Sequence, residues 1–161
     1  MKRMGPQWKP IFGVVHAPVN RTTWFGGVDV RATKITDAET SEISVKKQTS
    51  TQPRLVASGS HRAERDEKFA KELGDHELVR MGSSLKACIV AEGSADLYPR
   101  FGPTSCWDIA AAHAVVEAAG GFVLSPQCKP LVYDLVDEVL NPYFLVTCSS
   151  KWNDIWAQNQ D

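Results

Sequence analysis

Residues 107–121, WDIAAAHAVVEAAGG, are the most informative stretch of this sequence. The part before the glycines has the composition of a helix that is apolar on nearly every side, interrupted by Asp108, His113 and Glu117. A helix of this kind is buried, and we expect it to pack against a sheet. Gly120-Gly121 ends it, because glycine readily adopts the backbone conformations that stop a helix. The stretch therefore predicts an α/β protein with this helix in its interior.

From Arg54 onward, short apolar strands alternate with helices, which is typical of a layered α/β domain. Residues 11–52 instead predict strands and turns with little core of their own. We divide the chain accordingly into 1–52, an antiparallel β-hairpin and a connection, and 53–161, an α/β domain. The predicted strands are 11–17, 22–25, a weaker 28–32, 55–57, 77–81, 96–101, 122–124 and 143–148, with an edge strand or surface connection at 34–52 and helices at 62–73, 85–92, 107–119 and 151–158.

The composition excludes several classes of protein. The 161 residues suffice for one ordinary domain, and 43% hydrophobic with 23% charged residues is typical of a globular protein. Lys and Arg (18) balance Asp and Glu (19), so no basic surplus indicates a nucleic-acid or anionic membrane partner. No signal peptide is evident, and no apolar run approaches the ~18 residues of a membrane span. We expect a cytoplasmic protein that holds any anionic ligand in a local site.

The four cysteines fit that compartment. Cys88, Cys106, Cys128 and Cys148 are about twenty residues apart, without a C-x-x-C pair or histidines at zinc spacing. We expect four buried free thiols.

Three polar turns, at 58–61, 82–86 and 102–108, each follow a strand and precede a helix. In an α/β sheet such turns gather at the carboxyl ends of the strands, where ligands usually bind. Helix N-termini there offer unpaired N–H groups that suit phosphate. The side chains in and beside these turns also suit a phosphorylated small molecule; they are Ser60, His61, Ser83, Ser84, Lys86 and Arg100.

Each of these residues has an ordinary structural explanation as well. Ser60 and Ser84 are good helix N-caps, and Lys86 and Arg100 could be solvated surface charges. The joint placement of the residues, rather than any single one, favours a ligand site.

Asp108 has two interpretations. With Ser105 as N-cap it occupies the third helical position, where a carboxylate completes a capping box and complements the helix dipole. Alternatively, its oxygens could ligate Mg²⁺ beside a phosphate-binding rim. His113 cannot join it, because five residues along a helix turn it away from the face of Asp108.

The motifs SGSH at 58–61, GSSLK at 82–86, LYPRFGP at 97–103 and the 107–121 stretch together resemble the 3'(2'),5'-bisphosphate nucleotidases. These are Mg²⁺-dependent, lithium-sensitive phosphatases of the inositol monophosphatase superfamily. The resemblance runs in order and nearly without gaps from about Lys9 to Ser149. It implies the layered α/β/α C-terminal domain of the inositol monophosphatase type, preceded by a hairpin belonging to an N-terminal sheet.

The resemblance also implies a substrate, adenosine 3',5'-bisphosphate or related nucleotides of sulfur assimilation, and the cofactor Mg²⁺. Asp108 resembles the last metal ligand of the family. The positions that resemble its nucleotide and phosphate contacts are Ser60, His61, Gly82, Ser83, Lys86 and Arg100. Two positions depart from the pattern: Gly59 stands where relatives often have Arg, and Ile109 where they often have Thr, so one bidentate phosphate donor is missing.

The larger departure is that the Glu-Glu pair and the Asp-Pro-x-Asp-Gly-Thr stretch of the family are absent from this sequence. We therefore expect a half-length relative without phosphatase activity of its own, since two-metal phosphoryl transfer needs both ions held. A second hypothesis is a homo-oligomer formed through residues 11–30, whose strands would leave an unpaired edge. A third is complementation, in which a separate chain supplies the missing motifs.

Overall fold

The computed structural model describes residues 1–47, 51–57, 64–135 and 138–160. In these ranges the chain forms two main sheets, a small N-terminal hairpin and four α-helices. The strands are β1 (Lys2–Met4), β2 (Gln7–Lys9), β3 (Phe12–Ala17), β4 (Thr22–Gly27), β5 (Val30–Ile35), β6 (Thr40–Glu42), β7 (Arg54–Ala57), β8 (Glu77–Arg80), β9 (Leu97–Arg100), β10 (Phe122–Leu124) and β11 (Phe144–Thr147). The helices are α1 (Glu64–Leu73), α2 (Leu85–Ala91), α3 (Cys106–Ala118) and α4 (Asn153–Gln158), with a 3₁₀ turn at Ser150–Trp152 before α4.

The strands and helices predicted after residue 54 are confirmed, with ends that differ by one or two residues. They build a five-stranded sheet in the order β10-β11-β9-β7-β8. Strand β7 pairs in parallel with β8 and β9, whereas β11 runs antiparallel to both β9 and β10. The sheet is therefore mixed, as is common when an α/β sheet carries antiparallel strands toward one edge.

Helices cover both faces of this sheet, as predicted for an α/β/α arrangement. Successive side chains of a strand point to opposite faces, and on β9 the ring of Tyr98 lies against Lys86 of α2 while Pro99 adjoins Ala70 of α1. Helix α4 joins α1 on the second face, where Trp156 packs on Phe69. Helices α2 and α3 pack together on the first face.

The N-terminal strands form more than the predicted hairpin. The antiparallel pair β3-β4 is present, and β5 and β6 extend it to a four-stranded sheet in which β6 is the edge strand expected within 34–52. This sheet also has a core: Val15, Trp24 and Ala32 are buried on the side that packs against α3. Helix α3 thus lies between two sheets, which explains why it is apolar on nearly every side.

Residues 1–9 form a second hairpin, β1-β2, that sequence reasoning missed. Trp8 pairs with Tyr133, its N–H donating to the Tyr133 carbonyl at 2.8 Å and its carbonyl accepting from the Tyr133 N–H at 2.9 Å. The hairpin is thereby attached to the loop between β10 and β11.

All four cysteines are free, as expected, and three of them are buried, with Cys128 half-buried. Burial raises the pKa of the Cys88 thiol to about 12, so this thiol stays protonated and unreactive at neutral pH. Among the helices in the described ranges, none has the length and apolar character needed to cross a membrane.

Candidate functional site

A cavity of about 430 Å³ opens between α2, β9 and the start of α3. Five of the residues predicted from the sequence line it together, although they come from the turn before α2, from α2 itself, from β9 and from α3. These are Ser83, Ser84, Lys86, Arg100 and Asp108. The cavity lies where the second and third polar turns were expected to meet.

Strand register explains how three of the lining side chains come together. Tyr98 and Arg100 are two residues apart on β9 and so point to the same face of the sheet. Phe144 on β11 is paired directly with Arg100 and shares that face. The three side chains therefore form the sheet side of the cavity.

Lys86 lies deep in this cavity, with only 6% of its surface exposed. Among the described residues its ammonium makes no ion pair or hydrogen bond, and its Nζ lies over the ring of Tyr98, 5.2 Å from the ring centroid. Burial lowers the pKa of Lys86, and the neighbouring Arg100 charge lowers it further. A buried cation without a counter-ion is costly, so this site favours an incoming anion.

Arg100 supplies a second cation. One guanidinium nitrogen donates to the Pro103 carbonyl at 3.2 Å, while its buried Nε has no partner in the part of the chain that the structure describes. Gly102 packs closely under the guanidinium, since a Cβ there would lie 3.3 Å from it. The guanidinium is thus held in place with donors to spare for a phosphate.

The turn between β8 and α2 brings serines to the cavity. Ser83 has a φ of +54°, an uncommon conformation for a residue other than glycine. Ser84 stands at the N-cap position of α2 but its side chain makes no capping hydrogen bond, unlike the cap expected from the sequence. Both residues line the cavity, whereas Gly82 precedes them outside the lining.

Asp108 adopts the capping-box role. Its Oδ2 accepts a hydrogen bond from the Ser105 backbone N–H at 2.7 Å, at the start of α3. It is also the single carboxylate among the described residues that line the cavity. His113 is fully buried elsewhere along α3, with Nδ1 2.8 Å from the Tyr133 hydroxyl, as its helical spacing from Asp108 predicted.

These donors do not fit a Mg²⁺ ion held by the described residues alone. Magnesium needs near-octahedral oxygen coordination and usually takes one or two carboxylates together with substrate phosphates. Here one oxygen of a lone carboxylate is engaged with a backbone N–H, and the described residues contain no cluster of three or more potential metal ligands. The predicted role of Asp108 as a metal ligand stays a prediction.

Two predicted contacts, Ser60 and His61, lie outside the described residues. Conversely, the structure adds lining residues that the sequence analysis did not single out, above all Tyr98 and Trp107. Trp107, next to Asp108 in the chain, is 69% exposed. The alternation of Tyr98 and Arg100 along β9 was the available signal for Tyr98, because it places both on one face.

Comparison with known proteins gives a consistent result. A sequence model of the inositol monophosphatase family matches residues 7–154. The 3'(2'),5'-bisphosphate nucleotidase CysQ of Salmonella typhimurium is 43% identical over 145 residues, which are 88% of this chain and 56% of that protein. The CysQ of Escherichia coli is 44% identical over 143 residues, 86% of this chain and 55% of that protein.

The crystal structure of CysQ from Bacteroides thetaiotaomicron, described as a bacterial member of the inositol monophosphatase family, has the same fold. It matches with a TM-score of 0.77 and 33% identity, over 88% of this chain and 59% of that one. The chain spans about half the length of the curated relatives it matches. It belongs to the inositol monophosphatase family.

Proposed function

We propose that this chain binds a phosphorylated nucleoside of the adenosine 3',5'-bisphosphate type in the cavity between α2, β9 and α3. Lys86 and Arg100 bind the phosphate, with Ser83 donating from the turn. The observation that carries the proposal is the buried Lys86, which is 6% exposed and whose ammonium has no carboxylate partner among the described residues. A phosphate would supply the missing negative charge.

The names of the relatives support the proposed substrate class. Proteins 43% and 44% identical to this chain are named 3'(2'),5'-bisphosphate nucleotidases, and the cavity holds two cations suited to one phosphate of such a molecule. The predicted contacts Ser60, His61 and Gly82 belong to the same proposal, as does a role with the nucleotides of sulfur assimilation.

The second part of the proposal is that the described residues bind this ligand without hydrolysing it. Phosphoryl transfer of this kind depends on metal ions that neutralise the developing charge and on an oriented water. Asp108 is the one carboxylate among the described lining residues and is partly engaged in a helix cap. Hydrolysis would require carboxylates from outside these residues, and a separate chain that carries them is one source.

Isothermal titration with adenosine 3',5'-bisphosphate tests binding directly. We expect saturable binding that Lys86→Met weakens at least tenfold, while adenosine without phosphate does not compete. Lys129→Met is the matched control, because Lys129 is exposed and lies outside the cavity lining. Equal affinity in the wild type and Lys86→Met would rule out the cavity as the binding site.

A phosphate-release assay tests the second part. Purified chain with Mg²⁺ and adenosine 3',5'-bisphosphate should release no phosphate above the buffer rate. Mg²⁺-dependent release that Asp108→Asn abolishes would overturn this part and leave the binding proposal intact.

Self-association through residues 11–30 is the second candidate function. The outward face of the four-stranded sheet carries exposed apolar side chains on β3: Phe12 is 49% exposed and Val14 is 51% exposed. The centroids of the Phe12 and Phe25 rings are 6.4 Å apart. In the described structure β3 is also an edge strand of this sheet. A second copy of the chain would cover both features.

Sedimentation velocity over a range of concentrations tests this candidate. We expect a dimer in the wild type that Val14→Asp dissociates, because the side chain points away from the core. A monomer at the highest concentrations would exclude it.

A further inference from the structure

The Lys86 ammonium has an aromatic ring where buried cations usually have a carboxylate. Its Nζ lies 5.2 Å from the centre of the Tyr98 ring, within the range of a cation–π interaction. No carboxylate among the described residues pairs with Lys86, and the charged neighbour that perturbs it is another cation, Arg100. The ring is therefore the main described contact that compensates this charge.

Other contacts hold the Tyr98 ring in place. Tyr98 is 5% exposed. Its ring meets the Phe144 ring edge to face, with centroids 5.9 Å apart and an interplanar angle of 88°. On β11, Val146 is paired directly with Tyr98. Because β9 and β11 hold the ring from below, its face is presented to α2 in one orientation.

We propose that Tyr98 is a positioning residue for the phosphate pocket: its ring holds the buried Lys86 ammonium in the cavity without neutralising it. This inference rests on the proposed function, since it concerns the cavity that would bind phosphate.

A buried cation can be held by a carboxylate or by an aromatic face. A carboxylate partner would compete with the ligand, because an incoming phosphate would have to displace it or share the ammonium with it. An aromatic face attracts the cation through its quadrupole but carries no net charge and leaves the N–H donors available. The ammonium thus stays oriented and able to donate to an anion.

Two variants separate the ring from the hydroxyl. Tyr98→Phe keeps the ring, and adenosine 3',5'-bisphosphate should bind within about twofold of the wild-type affinity. Tyr98→Leu removes the ring, and the affinity should fall about tenfold, as expected for the loss of a desolvated cation–π contact. A Phe variant that loses as much affinity as the Leu variant would overturn the proposal, because the hydroxyl would then be the important group.

A double-mutant cycle shows whether Tyr98 acts through Lys86. In the Lys86→Met background, Tyr98→Leu should change the affinity less than twofold. If the Leu substitution costs the same factor with and without Lys86, Tyr98 acts only on the structure of the cavity and the proposal fails.

NMR of the ligand-free chain gives a readout that depends on neither nucleotide binding nor the Leu variant. The Lys86 ε-methylene protons should be shifted upfield by the ring current of Tyr98, in the wild type and in Tyr98→Phe. Random-coil shifts would overturn the proposal even if Tyr98→Leu fails to fold. Upfield shifts in a chain that binds no nucleotide would refute the proposed function while leaving the Tyr98–Lys86 contact established.

Discussion

Gly13 on β3 and Ala111 on α3 pack backbone against backbone. A Cβ built on Gly13 would overlap the Ala111 carbonyl oxygen and lie 2.8 Å from the Ala111 Cα. Gly26 on β4 makes a similar approach, where a Cβ would lie 2.9 Å from the Cβ of Ala118. The N-terminal sheet therefore packs so closely on α3 that a side chain at these two glycine positions would not fit.

Gly13→Ala should destabilise the protein by about 3 kcal/mol or prevent folding, because neither backbone can move without breaking sheet or helix hydrogen bonds. Chemical denaturation followed by circular dichroism measures the change. Val14→Ala, measured at a concentration where the chain is monomeric, is the control on the same strand, and since Val14 is 51% exposed it should cost less than about 1 kcal/mol. Equal stability of Gly13→Ala and the wild type would mean that the sheet does not pack on α3 as described.

Glu92 links the N-terminal sheet to α2. Its carboxylate accepts hydrogen bonds from Trp24 Nε1 at 2.8 Å and Ser94 Oγ at 2.8 Å, and it pairs with Lys34 Nζ at 2.7 Å. The side chain is 10% exposed. Glu92→Ala should therefore cost about 3 kcal/mol in unfolding free energy, since removing one partner leaves buried groups unpaired.

The matched control breaks an exposed ion pair that, like the Lys34–Glu92 pair, involves a residue of β5. Arg31 and Glu42 are 2.6 Å apart, but their side chains are 81% and 57% exposed. Glu42→Ala should cost less than about 1 kcal/mol, because solvent screens exposed pairs. If the two substitutions have equal effects, the Glu92 cluster does not join the sheet to α2.

Asp108→Ala should lower stability by about 1 kcal/mol through loss of the capping box at the start of α3. We expect the same loss with and without millimolar Mg²⁺, since the described residues offer no second metal-binding carboxylate in this cavity. Thermal and chemical unfolding measure both conditions. Asp154→Ala, in the exposed first turn of α4, is the control and should change stability by less than about 0.5 kcal/mol. A Mg²⁺-dependent stabilisation that Asp108→Ala removes would show that the chain holds the ion by itself.

Glu117 should make the fold sensitive to acid. The contact of Glu117 Oε1 with His113 Nε2, at 3.3 Å, lowers the pKa of the Glu117 carboxyl from its ordinary 4.5. Burial opposes this shift, and the nearby Lys9 charge adds to it. A carboxyl whose pKa is lower in the folded state contributes stability that is fully present above pH 4.5 and is lost as the pH falls through the folded pKa. Glu117→Gln should therefore flatten the fall in stability below pH 4.5.

Unfolding free energies measured from neutral to acidic pH test this expectation. Glu67→Gln, which removes an exposed carboxyl in the first turn of α1, is the control for the loss of one acidic group. Identical pH profiles for the wild type and Glu117→Gln would contradict the role of the His113–Glu117 contact.

The strands and helices after residue 54 could be predicted because their apolar runs are bounded by glycine and polar turns. The hairpin at residues 1–9 could not, since all three residues of β1 are exposed and its attachment depends on Tyr133, far along the chain. The pairing of Trp24 with Glu92 spans 68 residues, and single-sequence patterns carry no information on such contacts.

The candidate site likewise has features that could be predicted from the sequence and features that could not. Turn position predicted that Ser83, Lys86, Arg100 and Asp108 would gather, because turns that follow neighbouring strands meet at one edge of a sheet. The burial of Lys86 was not predictable, since lysine is exposed in most proteins. Its buried position depends on the packing of α2 against β9, which places Tyr98 beneath it, and a contact between two separate elements cannot be read from a single sequence.

Arg100→Lys should weaken binding of adenosine 3',5'-bisphosphate about tenfold while leaving stability within about 1 kcal/mol. A lysine keeps the charge but loses the planar fork of donors that a phosphate accepts in two parallel hydrogen bonds. The lysine variant also loses the hydrogen bond that the guanidinium donates to the Pro103 carbonyl at 3.2 Å, which orients Arg100. Titration calorimetry measures the affinity, with Arg31→Lys as the control because Arg31 lies on the distant four-stranded sheet and is exposed. Unchanged affinity in Arg100→Lys would mean that the cavity attracts phosphate through charge alone. Arg100→Ala removes both the charge and the fork of donors. If Arg100→Lys loses as much affinity as Arg100→Ala, the two-bond geometry, rather than the charge, makes the contact.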